Sequence, residues 1–158
     1  MRNSKPKVEV IKSRNGGHRV YINGVQMRPK SIPSSEHCRK IYYSDKYIVK
    51  LDYDNEDYFD EQNYCEWRRW TTEIEKSDKK YFAPVIDYVE GYYLLQKRIY
   101  RSRKKSTDEM REIIESLSTK YNLIDVNAYY YEKDNEYVDR NWMLSTDGIP
   151  VIFDYGTE

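Results

Sequence analysis

Histidine and cysteine are nearly missing from this chain, with two of each in 158 residues. Cys38 and Cys65 form no Cys-x-x-Cys pair, and His18 and His37 leave a zinc site few further ligands to draw on. Both cysteines read as reduced, packed thiols. Long apolar runs are missing too. No stretch approaches the roughly 18 consecutive apolar residues of a membrane span. The opening Met1-Arg2-Asn3-Ser4-Lys5-Pro6-Lys7 leads into no apolar signal core. A cytosolic protein without membrane contact is expected. Net charge is also absent, with 27 Lys and Arg against 27 Asp and Glu. That balance excludes a globally basic nucleic-acid coat and an acidic solvating tail.

Aliphatic residues are in short supply. Ile, Leu, Val and Phe together number 32, about 20% of the chain, which is the compositional border of disorder when charge is also high. Here no net charge opposes collapse, and 18 Tyr and 3 Trp supply large buriable surface. A folded domain with a thin, tyrosine-rich core is expected, and the length suits one domain. The plentiful Tyr, Lys, Ile and Asn fit an AT-rich genome, which bears on source and not on mechanism.

Local patterns give an order of elements. Residues 8–12 and 18–22 are short β-prone runs, and Asn15-Gly16-Gly17 and Asn23-Gly24 after them are hairpin signals. The segment 27–37, with Pro29, Pro33 and Ser34-Ser35, is loop-rich. Strands follow at 39–43 and 47–53 around the turn Ser44-Asp45-Lys46. Acidic residues in 54–60 suit a helix start, and Tyr64, Trp67, Trp70 and Ile74 give helical spacing across a predicted helix at 59–76. The two tryptophans read as core residues. Strands are predicted at 85–89 and 92–99 around Glu90-Gly91. Ser106-Thr107-Asp108-Glu109 reads as a capping box for a helix reaching about Lys120, with Met110, Ile113, Ile114, Leu117 and Tyr121 as its apolar stripe. Strands near 142–144 and 151–153 flank a turn at Asp147-Gly148. The class by pattern is α+β, with an antiparallel sheet, a helix packed on it, and a small helical and hairpin part at the C-terminal end.

Four pieces carry chemistry. Lys50 interrupts an otherwise buried-type strand, Tyr47-Ile48-Val49-Lys50-Leu51-Asp52. Glu66 stands on the following helix beside Trp67. Asn141 enters the strand Trp142-Met143-Leu144, and Asp154 leaves its partner in Phe153-Asp154-Tyr155-Gly156. A strand lysine sets a cation against phosphate, and a helix carboxylate holds it. Asn and Asp at neighbouring hairpin ends offer two oxygens of the kind magnesium takes. The glycine after Asp154 frees the backbone to turn.

At these residues the sequence resembles the protein kinase fold. Lys50 is similar to the lysine of the Val-Ala-Ile-Lys strand, Glu66 to its helix partner (with Glu73 as the rival), Asn141 to the catalytic-loop asparagine, and Asp154-Tyr155-Gly156 to the Asp-Phe-Gly metal motif. Small kinase-like proteins of bacteria and phages carry similar strings. The resemblance covers roughly residues 34–158. It implies an N-terminal extension with a hairpin at 1–24, a kinase N-lobe-like sheet and helix at 25–100, and a shortened C-lobe-like part at 101–158. It also implies magnesium and ATP as cofactors.

The departures shape the expected function. The turn ahead of the lysine strand, Pro33-Ser34-Ser35-Glu36-His37-Cys38, has no glycine, and Glu36 repels phosphate. No His-Arg-Asp motif is present. The catalytic base is Asp125 if 128–139 is an insertion, or Glu136 by direct spacing from Asn141, while Asp139 lies too close. The sequence ends two residues after Gly156, so the activation segment and peptide-binding helices of a full kinase domain are expected to be missing. The expectation is a degenerate, pseudokinase-like regulator or inhibitor that docks on a protein partner, of a type that phages or mobile elements carry into a host cytoplasm. The alternative is an active Mg-ATP-dependent phosphotransferase. A third reading is a nucleic-acid binder using the basic run 97–105. In the docking reading Arg101, Arg103, Lys104 and Lys105 form the partner patch.

Overall fold

The computed structural model describes residues 4–15, 17–30, 39–52, 62–124, 126–131 and 137–156. It is α+β, with antiparallel sheets throughout. The chain groups into two units, 1–63 with 85–98, and 64–84 with 99–158.

Among the described residues the first unit holds two sheets. Strands β1 (Val8–Lys12), β2 (His18–Ile22) and β3 (Val25–Gln26) form one, in the order β1-β2-β3. The β2–β3 turn is Asn23-Gly24, with φ of 47° and 79°. Positive φ at both central residues is the left-handed geometry that matches strand twist, and Asn and Gly reach it most cheaply. Asn23 also bonds both ways to Lys7, accepting the Lys7 N–H at 2.9 Å through Oδ1 and donating its own N–H to the Lys7 carbonyl at 2.8 Å.

The second sheet has five strands: β4 (Arg28–Pro29), β5 (Lys40–Tyr43), β6 (Tyr47–Leu51), β7 (Val85–Val89) and β8 (Tyr93–Lys97). Their order is β4-β5-β6-β8-β7, so β6 is central. Tyr42, Val49, Leu51 and Leu95 from this sheet pack with Val20, Ile22 and Met27 in one buried cluster. Side chains alternate along a strand. The register Ile41↔Lys50↔Leu94 therefore sets those three residues on the opposite face from that cluster. On β8, Tyr93 donates to Asp87 at 3.1 Å, and burial with the neighbouring Asp87 charge pushes its phenol up to about 12.

Helix α1 (Gln62–Arg68) begins in the first unit and continues in the second. One regular helix over 59–76 was expected. Residues 59–61 lie outside the described residues. From Arg69 to Glu73 the helix widens into a π turn, closed by Ile74 N–H to the Arg69 carbonyl at 2.8 Å. The cause is visible in Thr71 and Thr72. Their hydroxyls bond back to the carbonyls of Trp67 and Arg68 at 2.8 and 2.7 Å, competing for acceptors of the helical ladder. Trp67 and Trp70 are half-buried, so the core side of this helix is carried more by Cys65, Glu66 and Arg69. Cys38 lies outside the described residues.

A 3-10 turn, Lys76–Tyr81, follows. Helix α2 (Asp108–Lys120) has Thr107 as its N-cap, accepting from Met110 N–H, where the capping-box spacing had pointed to Ser106. The Ser106 hydroxyl is instead engaged by Arg111 at 2.8 Å, which leaves the next hydroxyl to cap. Ile114 and Leu117 are the buried members of the expected stripe. Strands β9 (Asn127–Tyr131) and β10 (Tyr137–Arg140) pair across the candidate insertion 128–139, and β11 (Trp142–Leu144) and β12 (Pro150–Ile152) form the expected terminal hairpin.

The end of α2 is tied to the 3-10 turn by a small charged cluster. Lys120 Nζ donates to Glu75 at 3.0 Å and to Asp78 at 2.8 Å, and the Tyr121 hydroxyl donates to Asp78 at 2.5 Å. The bonds from Lys120 and then Tyr121 hold the Asp78 carboxyl below its ordinary range. A depressed carboxyl stabilises the fold above its unfolded-state pKa, and that contribution is lost as pH falls through the folded one. Thermal stability should therefore drop on acidification below about pH 4, and Asp78→Asn should flatten that acid limb. A melting series showing the same acid limb in both proteins would remove the cluster from the account.

Candidate functional site

Lys50 lies on the central strand and is 2% exposed. Its carbonyl accepts from Asn63 Nδ2 at 2.9 Å. Asn63 is itself buried and is a junction. Its Oδ1 accepts from Arg39 Nη1 at 3.0 Å, and its N–H donates to Asp52 Oδ1 at 3.1 Å. One side chain and its own amide thus join the start of β5, the end of β6 and the first turn of α1. A buried Asn can satisfy this many polar partners only at one position and orientation. No sequence pattern marked Asn63 or Arg39, because neither belongs to an apolar period or a turn signal.

Glu66, on α1, is fully buried at 0% exposure. Glu73, its rival, is exposed and lies 3.3 Å from Arg68 Nε.

Asn141 and Asp154 occupy the same end of the β11–β12 hairpin. Trp142 pairs with Ile152, and the Phe153 N–H donates to the Asn141 carbonyl at 3.1 Å, so Asp154 directly follows that pair. Asn141 has φ of 62°. It takes the left-handed conformation that Asn tolerates better than most residues, at the bend between β10 and β11. Both residues are half-buried. Among the described residues no three His, Cys, Asp or Glu side chains gather at one point. Asp125 and Glu136, the two candidate bases, lie outside the described residues.

Tyr155, in the Asp154-Tyr155-Gly156 motif, is 2% exposed. Its carbonyl accepts from Arg69 Nη1, and its hydroxyl donates to the Ala83 carbonyl at 2.8 Å. Its ring meets Phe82 edge-on at 5.2 Å between centroids. The Ala83 N–H donates to the Ile152 carbonyl at 2.8 Å. The motif residue therefore joins the π turn, the segment after the 3-10 turn and the end of β12.

Of the basic run, Lys97 is exposed and Arg98 is used structurally, donating to the Ser44 carbonyl at 2.8 Å with its guanidinium 4.9 Å from the Tyr43 ring centre. Arg101, Arg103, Lys104 and Lys105 are all exposed. No helix among the described residues is long and apolar enough to cross a membrane.

Truncating Tyr155 should be costly. Tyr155→Phe should lower unfolding free energy by about 1–3 kcal/mol, because a buried carbonyl loses its donor. Tyr155→Ala should cost about 3–5 kcal/mol through the cavity it leaves. Urea denaturation of the two variants checks both, and a loss below about 0.5 kcal/mol in Tyr155→Ala would show that the residue anchors nothing.

No family model, no curated protein and no solved structure matches the chain.

Proposed function

We propose that the chain is a regulatory or inhibitory protein of kinase-like fold that acts by docking on a protein partner, without phosphoryl transfer. The observation that carries this reading is the burial of Lys50 and Glu66, at 2% and 0% exposure. A lysine that serves a phosphotransferase must be reached by a solvated triphosphate, and Lys50 is withdrawn from solvent. Two further points support it. The stretch 33–38, ahead of the lysine strand in sequence and outside the described residues, contains no glycine of the kind that lets phosphate approach a backbone. The Asp154-Tyr155-Gly156 motif invests its aromatic residue in packing, with both polar ends bonded.

One observation favours the phosphotransferase alternative: Asn141 and Asp154 share one hairpin end. An amide oxygen and a carboxylate are donors that a hard cation accepts. If magnesium binds, these two residues would hold the metal. The ion would neutralise charge on the phosphates.

Incubation with radiolabelled ATP and magnesium separates the two. The expected result is no label on the protein or on a generic protein substrate, and calorimetry with Mg-ATP giving a Kd no tighter than about 1 mM. Label transfer that disappears in Asp154→Asn would overturn the proposal. The same substitution should leave the fold intact, because Tyr155 and the β11–β12 pairing hold that segment.

A further inference from the structure

We infer that residues 100–105 form a preorganised ledge that receives a short acidic segment of a protein partner, an inference that rests on the docking reading above. The segment is not a loose connector. Arg101 makes an antiparallel bridge with Ser145 of the hairpin turn. The Ser102 N–H donates to the Leu144 carbonyl at 2.8 Å, and the Thr146 N–H donates to the Tyr100 carbonyl at 3.0 Å. Beyond that, the Lys104 N–H donates to the Ser102 hydroxyl at 3.1 Å. Ser145 is buried, so the ledge is fastened to the packed part of the hairpin.

On this fixed backbone Arg101, Arg103, Lys104 and Lys105 are exposed, four cations in five residues. Tyr100 beside them is 46% exposed. The nearest acidic residues in sequence lie at the margins. Asp147 is exposed in the hairpin turn, Glu109 is exposed in the first turn of α2, and Asp108 is 3.6 Å from Arg111. A held backbone lowers the ordering cost of binding. Two arginines offer planar, bidentate donors that match carboxylates.

Charge decides between partner classes. Five residues span roughly 17 Å at about 3.3 Å each, the length of a short acidic peptide. A nucleic acid presents charge along its whole length, and binding it takes a longer track of phosphate contacts. Away from the ledge the chain has no net positive charge to extend that track. Beyond a Debye length of about 10 Å at 0.1 M salt, the ledge alone attracts little.

The test uses the whole chain and two fluorescein-labelled probes, a ten-residue polyglutamate and a ten-nucleotide oligothymidylate. Polyglutamate should bind at 50 mM salt and weaken as salt rises. The fourfold charge reversal R101E, R103E, K104E and K105E should weaken it by about tenfold or more, which is about 1.4 kcal/mol. A control reversal of exposed Arg14 and Arg19 should not, and the melting temperature should hold in both variants. Oligothymidylate should bind more weakly than polyglutamate. Equal polyglutamate affinity in the ledge and control variants would overturn the inference, as would tighter binding of oligothymidylate. Phosphoryl transfer fails or succeeds by a separate readout, so loss of the ledge and loss of the non-catalytic reading are distinguishable.

Discussion

The second unit depends on one residue that holds three segments distant in sequence. Tyr155 offers a carbonyl to Arg69, a hydroxyl to Ala83 and a ring to Phe82, while Ala83 itself bonds to Ile152. Each contact alone is an ordinary hydrogen bond or aromatic pair, with a net worth of about 1 kcal/mol. Their value lies in convergence. The buried carbonyls of Ala83 and Tyr155 would otherwise lack those donors, and an unsatisfied buried acceptor costs more than a made bond returns. A chain with few aliphatic residues builds its centre this way, using an aromatic residue that both fills space and closes polar accounts.

Asn63 does the corresponding work in the first unit. It fastens the first turn of α1 to the sheet through the Lys50 carbonyl, with Arg39 and Asp52 completing its bonds. Lys50 therefore lies in a strand whose backbone is gripped at the same residue that carries the candidate cation. A buried polar group bonded to several segments specifies one arrangement, because any shift breaks several bonds at once.

Much of the strand order was legible in the sequence, because alternation and turn chemistry are local. Residues 85–89 and 142–144 match their strands end for end, and Asn23-Gly24 and Gly148 mark turns where φ is positive. The π turn was not legible. Helical periodicity is blind to how Thr71 and Thr72 bond to the backbone, and Trp67 and Trp70 gave a stripe that predicts burial the structure only half provides. The β9–β10 hairpin was missed because a stretch rich in Tyr with charges between carries no clear apolar face. Of the candidate site, the pairing of Asn141 and Asp154 at one hairpin end could be read from the turn at Asp147-Gly148. Asn63 and Arg39 could not, since their importance comes from positions far apart in sequence.

The interrupted course of the chain governs how the five-stranded sheet can assemble. Central strand β6 pairs with β8, setting Tyr47 opposite Lys97, and the residues between include 64–84, which belong to the other unit. Hairpins β5–β6 and β7–β8 can close early, being local. Their union must wait for a long loop to be closed, an entropy cost that local contacts do not repay. On the ribosome the central pairing is unattainable until β8 has emerged, so an early-released fragment carries β6 with one edge open. An open edge is a template for pairing with other chains, and Lys46, directly before that strand, stands where charge discourages it.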